Sequence, residues 1–184
     1  SGVGFIWGKL FNREFLIRNN LLLNDNLTAA EDAEFMLRTA FYADRVSFVA
    51  KSLYNYLHNT VSAVRSFRTD YVERYRKSLS VMYDFLVDNG LSKHLVTYDN
   101  CVLYHLLLIV VNYSFNPARK DTKKEQTAAF KKLVKDPFFA NAMKSLRLKD
   151  FSMTRKITLI CIKLKMYRMV RLIALFRQKQ TGTS

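Results

Sequence analysis

Glycine and proline, the residues that most readily turn a chain or end a helix, number seven in these 184 residues: five Gly and two Pro. A sandwich or barrel of short strands needs turn signals roughly every 8–12 residues, and this chain cannot supply them. The remaining sequence must be spent mostly on long elements. An apolar share of 49% is enough to bury a core and excludes disorder as the main theme.

The apolar spacing identifies those elements as helices. Over residues 71–89, Val72, Tyr75, Leu79, Met82 and Leu86 recur at three- and four-residue steps, and Gly90 follows as a stop. Residues 95–113 predict a more apolar, buried helix ended by Asn116-Pro117. Shorter helices are expected over 122–135 and 138–146, divided by Pro137, and one long helix over 152–178. No repeat of fixed period is present, which disfavours a solenoid.

The first seventy residues differ. A short strand or turn from Ile6 leads into a helix start, and Asn19-Asn20 and Asn24-Asp25-Asn26 break the chain. Thr28-Ala29-Ala30-Glu31 fits a capping box that opens a helix running to Ala43-Asp44. Two runs rich in Val, Phe and Tyr, 45–50 and 52–58, predict strands. In the second, alternation puts Tyr54, Tyr56 and His58 on one face. The expected fold is mainly α with a short antiparallel β element.

The net charge is +15, but residues 1–70 carry eight basic and seven acidic side chains, whereas 71–184 carry twenty-two and eight. Residues 151–184 hold eight Lys or Arg and no acid. Lys165, Arg168 and Arg171 recur every third residue, with Met166, Met169, Val170, Ile173 and Phe176 gathered opposite, although Leu164, Leu172 and Leu175 fall on or near the basic side. A basic amphipathic helix suits an anionic membrane surface, here through 151–179. Its alternative is a helix packed on the protein with its charges in water. Nucleic acid ranks lower and no such partner is expected, because no recognition signature accompanies the charge.

The apolar run 101–111 is shorter than the ~20 residues of a span and contains His105, so no transmembrane helix is expected. Ser1-Gly2-Val3-Gly4 has no basic region leading into a long apolar run, so no signal peptide is expected from it. Cys101 and Cys161, sixty residues apart in apolar runs, read as reduced and inert. These features predict a cytoplasmic protein, peripheral on the inner face of the plasma membrane.

Four short signals stand in order near the N-terminus: Trp7-Gly8-Lys9-Leu10, Glu31-Asp32-Ala33-Glu34-Phe35, Tyr54-Asn55-Tyr56-Leu57-His58 and Ser62-Ala63-Val64-Arg65. Together they resemble the acceptor side of the family-two glycosyltransferases, the inverting nucleotide-sugar enzymes of GT-A fold that build bacterial capsules, O-antigens and exopolysaccharides. The resemblance implies a C-terminal portion of an α/β, Rossmann-like GT-A domain over 1–68, followed by a basic helical extension over 69–184.

It also implies roles. Asp32 would be the catalytic base that takes the proton of an acceptor hydroxyl. Trp7, Lys9, Glu31 and Tyr56 would bind the acceptor, an indole face packing on a sugar ring. Arg65 would meet the donor phosphate and His58 a divalent metal, Mg2+ or Mn2+, in the intact enzyme. Each has a plainer reading: Asp32 and Glu34 suit the positive end of a helix dipole, Trp7 can be core, His58 structural and Lys9 or Arg65 a surface cation. No Asp-x-Asp motif occurs in the chain. The nucleotide-sugar donor site is therefore expected outside it, leaving this portion inactive alone and without a tightly held metal. The alternative function is a non-catalytic helical module that binds an anionic membrane surface or a partner protein.

Overall fold

In a computed structural model of the chain, residues 4–55 and 67–180 are described. Among them are eight α-helices and no strand: α1 (Arg13–Arg18), α2 (Glu31–Tyr42), α3 (Tyr71–Asp88), α4 (Leu95–Ile109), α5 (Lys123–Lys135), α6 (Pro137–Lys144), α7 (Met153–Lys163) and α8 (Tyr167–Gln180). The mainly α expectation holds, and the α/β GT-A architecture does not. Residues 45–55 are not paired into a sheet, and Val46 and Phe48 stay 87% and 90% exposed. Val, Phe and Tyr favour strands by fitting a half-buried pleated surface. With no partner strand among the described residues, that surface does not form.

The chain divides into two compact units, Ser1–His58 with Glu73–Gly90, and Asn59–Val72 with Leu91–Ser184. All but the first two residues of α3 thus belong with the near-neutral N-terminal part, on the other side of the boundary drawn at 68/69 in the sequence.

In the first unit, Asn12 caps α1 by accepting the Phe15 N–H at 2.9 Å. Phe11 then meets Phe35 of α2 edge-on, with ring centroids 5.6 Å apart. Phe41 of α2 meets Phe85 of α3 in the same way at 5.4 Å. The buried face of α3 is Tyr75, Ser78, Leu79, Met82 and Leu86, while Val72 is only half-buried. The stripe read from sequence thus lies one helical step off at its start.

In the second unit α4 is the central element, with α6 and α7 packed on it. Its apolar residues surround the axis, and Val102, Leu103, Leu106 and Ile109 are all buried. The helix continues as a π-helical segment, Val110–Ser114, on which α5 and α8 also pack. Gln178 of α8 donates from Nε2 to the carbonyls of Val111 and Phe115, supplying partners where the i to i+4 ladder is interrupted. With its preceding 3-10 turn the continuous helix Ser92–Ser114 is 23 residues long, long and apolar enough to cross a membrane, so the expectation that no segment reaches that length is corrected. A helix at the centre of a bundle has the same composition.

The capping box predicted at the wrong helix is found at α5: Thr122 Oγ1 accepts the Glu125 N–H at 3.3 Å, and Glu125 accepts the Thr122 N–H at 2.8 Å. Pro137 opens α6 as its first residue, where its missing N–H is not needed. The predicted single helix over 152–178 is instead α7 and α8. The break is a Schellman turn: the Met166 N–H reaches the Cys161 carbonyl at 2.8 Å and the Lys165 N–H reaches that of Ile162 at 3.0 Å. Lys165 sits there at φ 59°, a place usually taken by Gly, so nothing in the sequence marked it.

Both cysteine thiols are free, and burial pushes that of Cys101 up to about 11. His105, one helical turn on, donates from Nδ1 to the Cys101 carbonyl at 2.8 Å. Burial lowers its pKa below 6.5 and this hydrogen bond only partly restores it. The unfolded chain therefore binds a proton that folded His105 refuses, so its contribution to stability is complete above pH 6.5 and is lost as pH falls below it. Denaturant unfolding between about pH 7.5 and 5 should show a loss of stability that is shallower in His105→Gln.

Candidate functional site

The site is built within the first unit, on the loop before α1, the start of α2 and the segment after it. Trp7 stacks between two aromatic rings: Phe5 at 4.9 Å and 19°, and Tyr54 at 5.6 Å and 20°. Phe5, Trp7 and Tyr54 remain 37%, 40% and 50% exposed, so the row lies at the surface with Trp7 partly covered between its two neighbours. Gly8 turns the chain directly after the indole at φ 71°, in the left-handed region that other residues enter at a cost. A Cβ there would meet Tyr54 only at ordinary van der Waals distance, so backbone conformation, not space, demands the glycine. Lys9 folds back to donate from Nζ to the Phe5 carbonyl.

Asp32 stands in the first turn of α2, half-buried, with Oδ1 accepting the Ala33 N–H at 2.8 Å. Its pKa is raised above the ordinary 3.8, chiefly because burial disfavours the carboxylate. The Ala33 N–H acts the other way, the neighbouring Glu31 charge adds to the rise, and the Lys9 ammonium opposes it. Lys9 thus bonds to the aromatic loop through Phe5, and its charge is the smallest of the influences on the carboxylate.

The predicted capping box at Thr28 does not form. Glu31 is the first residue of α2, but the cap is Ala30 in the left-handed conformation, with no side-chain cap bond. Thr28 is engaged elsewhere: its Oγ1 accepts from Arg74 Nε at 2.6 Å, and its carbonyl from Arg74 Nη2. Ser78, one turn along α3, donates to the Ala29 carbonyl. Two residues of α3 thus pin the strained turn that leads into Asp32. From below, Glu34 is 3% exposed and paired with Arg38 by two bonds of 2.6 and 2.9 Å, and Arg38 also binds the Leu22 carbonyl at 2.6 Å.

Of the residues named from sequence, Trp7, Lys9, Glu31 and Asp32 fall in this one region. Tyr56, His58 and Arg65 lie outside the described residues. Sequence reasoning missed Phe5, Tyr54, Arg74, Ser78 and the Glu34–Arg38 pair. A usable signal existed for Ser78, a polar residue set among Tyr75, Leu79 and Met82 on the apolar face of α3. No group of three or more His, Cys, Asp or Glu able to hold a metal occurs among the described residues. With no Asp-x-Asp in the chain, the described residues do not fit a divalent metal. No family model, curated protein or solved structure matches this chain.

Proposed function

We propose that the first unit is the acceptor side of an inverting glycosyltransferase that moves a sugar from a nucleotide-sugar donor to a glycan or lipid-linked acceptor of the bacterial surface. The observation that carries the reading is a half-buried carboxylate with a raised pKa in the same unit as an exposed row of stacked aromatic rings. Flat aromatic faces open to solvent suit the apolar face of a sugar ring. A carboxylate raised toward the working pH suits proton removal from a hydroxyl.

In the reaction, the acceptor oxygen forms a bond to the anomeric carbon as the bond from that carbon to the nucleoside diphosphate breaks. The diphosphate leaves with the bonding electrons, and Asp32 takes the acceptor proton. Trp7 and Tyr54 hold the acceptor ring, and Lys9 and Glu31 set the charge around the carboxylate. The donor site, and the Mg2+ or Mn2+ of an intact enzyme, are assigned to residues other than those described.

Trp7 is the only tryptophan, so its emission reports this loop alone. Titration with a panel of bacterial surface oligosaccharides should shift that emission, and Tyr54→Ala should weaken the response by about five- to tenfold, the worth of one stacked ring. No response to any glycan at millimolar concentration would overturn the sugar-binding reading.

A further inference from the structure

The outward faces of α7 and α8 are more apolar than a solvated face should be. Met153, Ile157, Ile160 and Leu164 follow one another at four-, three- and four-residue steps, and all four are exposed, Met153 at 70% and Leu164 at 63%. They run along one side of α7, while Thr158, Leu159, Cys161 and Ile162 are buried on the opposite side. The second helix repeats the arrangement. Met169, Leu172 and Phe176 are exposed at three- and four-residue steps, opposite the buried Val170, Ala174 and Gln178.

This corrects the face expected from sequence. Val170 points into the protein, and the outward leucines that spoiled the predicted separation of charge and oil are what the surface consists of. Cations border both stripes: Lys156 and Lys163 on α7, Arg168 and Lys179 on α8, and Lys165 at the exposed turn between Leu164 and Met166. Residues 151–184 contain no acid to balance them.

We infer that the α7–α8 pair is a membrane-docking element, which lays Leu164, Met166, Leu172 and Phe176 into the headgroup–acyl boundary of an anionic bilayer and sets Lys156, Lys163, Lys165, Arg168 and Lys179 among the lipid phosphates. Charge selects the occupant. The buried part of a protein–protein interface is depleted in Lys, whereas interfacial helices combine Leu, Phe and Met with Lys and Arg. Nucleic acid would answer the cations but leave the aliphatic stripe in water. The inference goes beyond the proposed transferase and does not depend on it.

Lys165 permits a test that separates docking from folding. It occupies a left-handed position that Gly fills without strain, so Lys165→Gly should raise the denaturation midpoint. The same change should weaken binding to phosphatidylcholine–phosphatidylglycerol vesicles by about fivefold, since one basic residue is lost from the lipid surface. Leu164→Ser combined with Leu172→Ser should leave the midpoint unchanged and weaken vesicle binding by about tenfold or more, because buried methylene groups carry interfacial affinity. The full chain should cosediment with these vesicles and bind those of phosphatidylcholine alone at least about tenfold less.

Equal binding to both kinds of vesicle, or unchanged binding by either variant, would overturn the inference. So would the absence of vesicle binding together with self-association lost in the double-serine variant, or with salt-dependent binding to RNA lost in Lys165→Gly.

Discussion

Asp32→Asn, introduced into the full-length protein and assayed for transfer from nucleotide sugars, should lower the rate by about 10²–10⁴-fold, the usual contribution of a positioned general base. Asparagine keeps the size of the side chain and can still accept the Ala33 N–H that Asp32 Oδ1 accepts at 2.8 Å. What it loses is the ability to take a proton. Retention of near-wild-type transfer with unchanged fold and donor binding would make the base assignment wrong.

Stability should move the other way. Burial raises the Asp32 pKa, so the folded state resists the ionisation that the unfolded chain allows. Ionisation therefore makes Asp32 increasingly unfavourable to folding as pH rises from 3.8 through the raised value, and the neutral amide removes that effect. A variant that loses activity without losing stability marks a residue kept for chemistry, since active-site groups commonly oppose stability.

As the proposed base, the same carboxylate should set the acidic limb of the pH profile. A base must be unprotonated, so the limb of kcat/KM should lie above 3.8 and follow the folded pKa of Asp32. Lys9→Met removes a cation that favours the carboxylate, and should shift the limb to higher pH. A limb that stays in place would separate Lys9 from Asp32.

How much of this was legible depended on whether the cause was local. Helices α3 to α6 could be read because apolar spacing, Gly90 and Pro137 act within a few residues. The strands over 45–55 were misread for the opposite reason: a strand needs a partner from elsewhere, and composition cannot supply one. At Thr28 the local rule was present but lost to a distant competitor. Arg74 lies 46 residues away and takes both the hydroxyl and the carbonyl of Thr28. The turn at Lys165 left no trace because a lysine occupies the glycine position.

At the site, Trp7, Lys9 and Asp32 fall in one unit, but the motifs gave no account of what holds them. The pairing of Glu34 with Arg38 is an ordinary i to i+4 spacing in the sequence, and only its burial distinguishes it from a surface pair. Tyr54 was not named because alternation puts it on a face without saying that its ring meets the indole, while Tyr56, named through the resemblance, lies outside the described residues.

Phe130→Ala should destabilise the second unit by about 3–5 kcal/mol, the range for removing a fully buried aromatic ring. Phe130 is 1% exposed. Its ring meets Phe115, at the end of the π segment, with centroids 5.1 Å apart, and Tyr167 of α8 edge-on at 5.8 Å. It is thus the residue of α5 through which three elements are joined. The junction also carries charge at its margin, with Lys131 over the Tyr167 ring and Arg171 over that of Phe115. A methyl group at 130 leaves all these rings without their neighbour, and two flanking helices cannot close the gap without losing their packing on the π segment. The loss is a large part of the ~5–15 kcal/mol that holds most domains folded. Urea unfolding followed by circular dichroism would measure it. Phe130→Leu, which keeps most of the volume, should cost under about 1.5 kcal/mol, and Phe48→Ala, at a side chain 90% exposed, should stay within about 0.5 kcal/mol of the parent. A loss below about 1 kcal/mol for Phe130→Ala would mean that α5 is not held through this ring, and that Gln178 and the α6 contacts carry the junction instead.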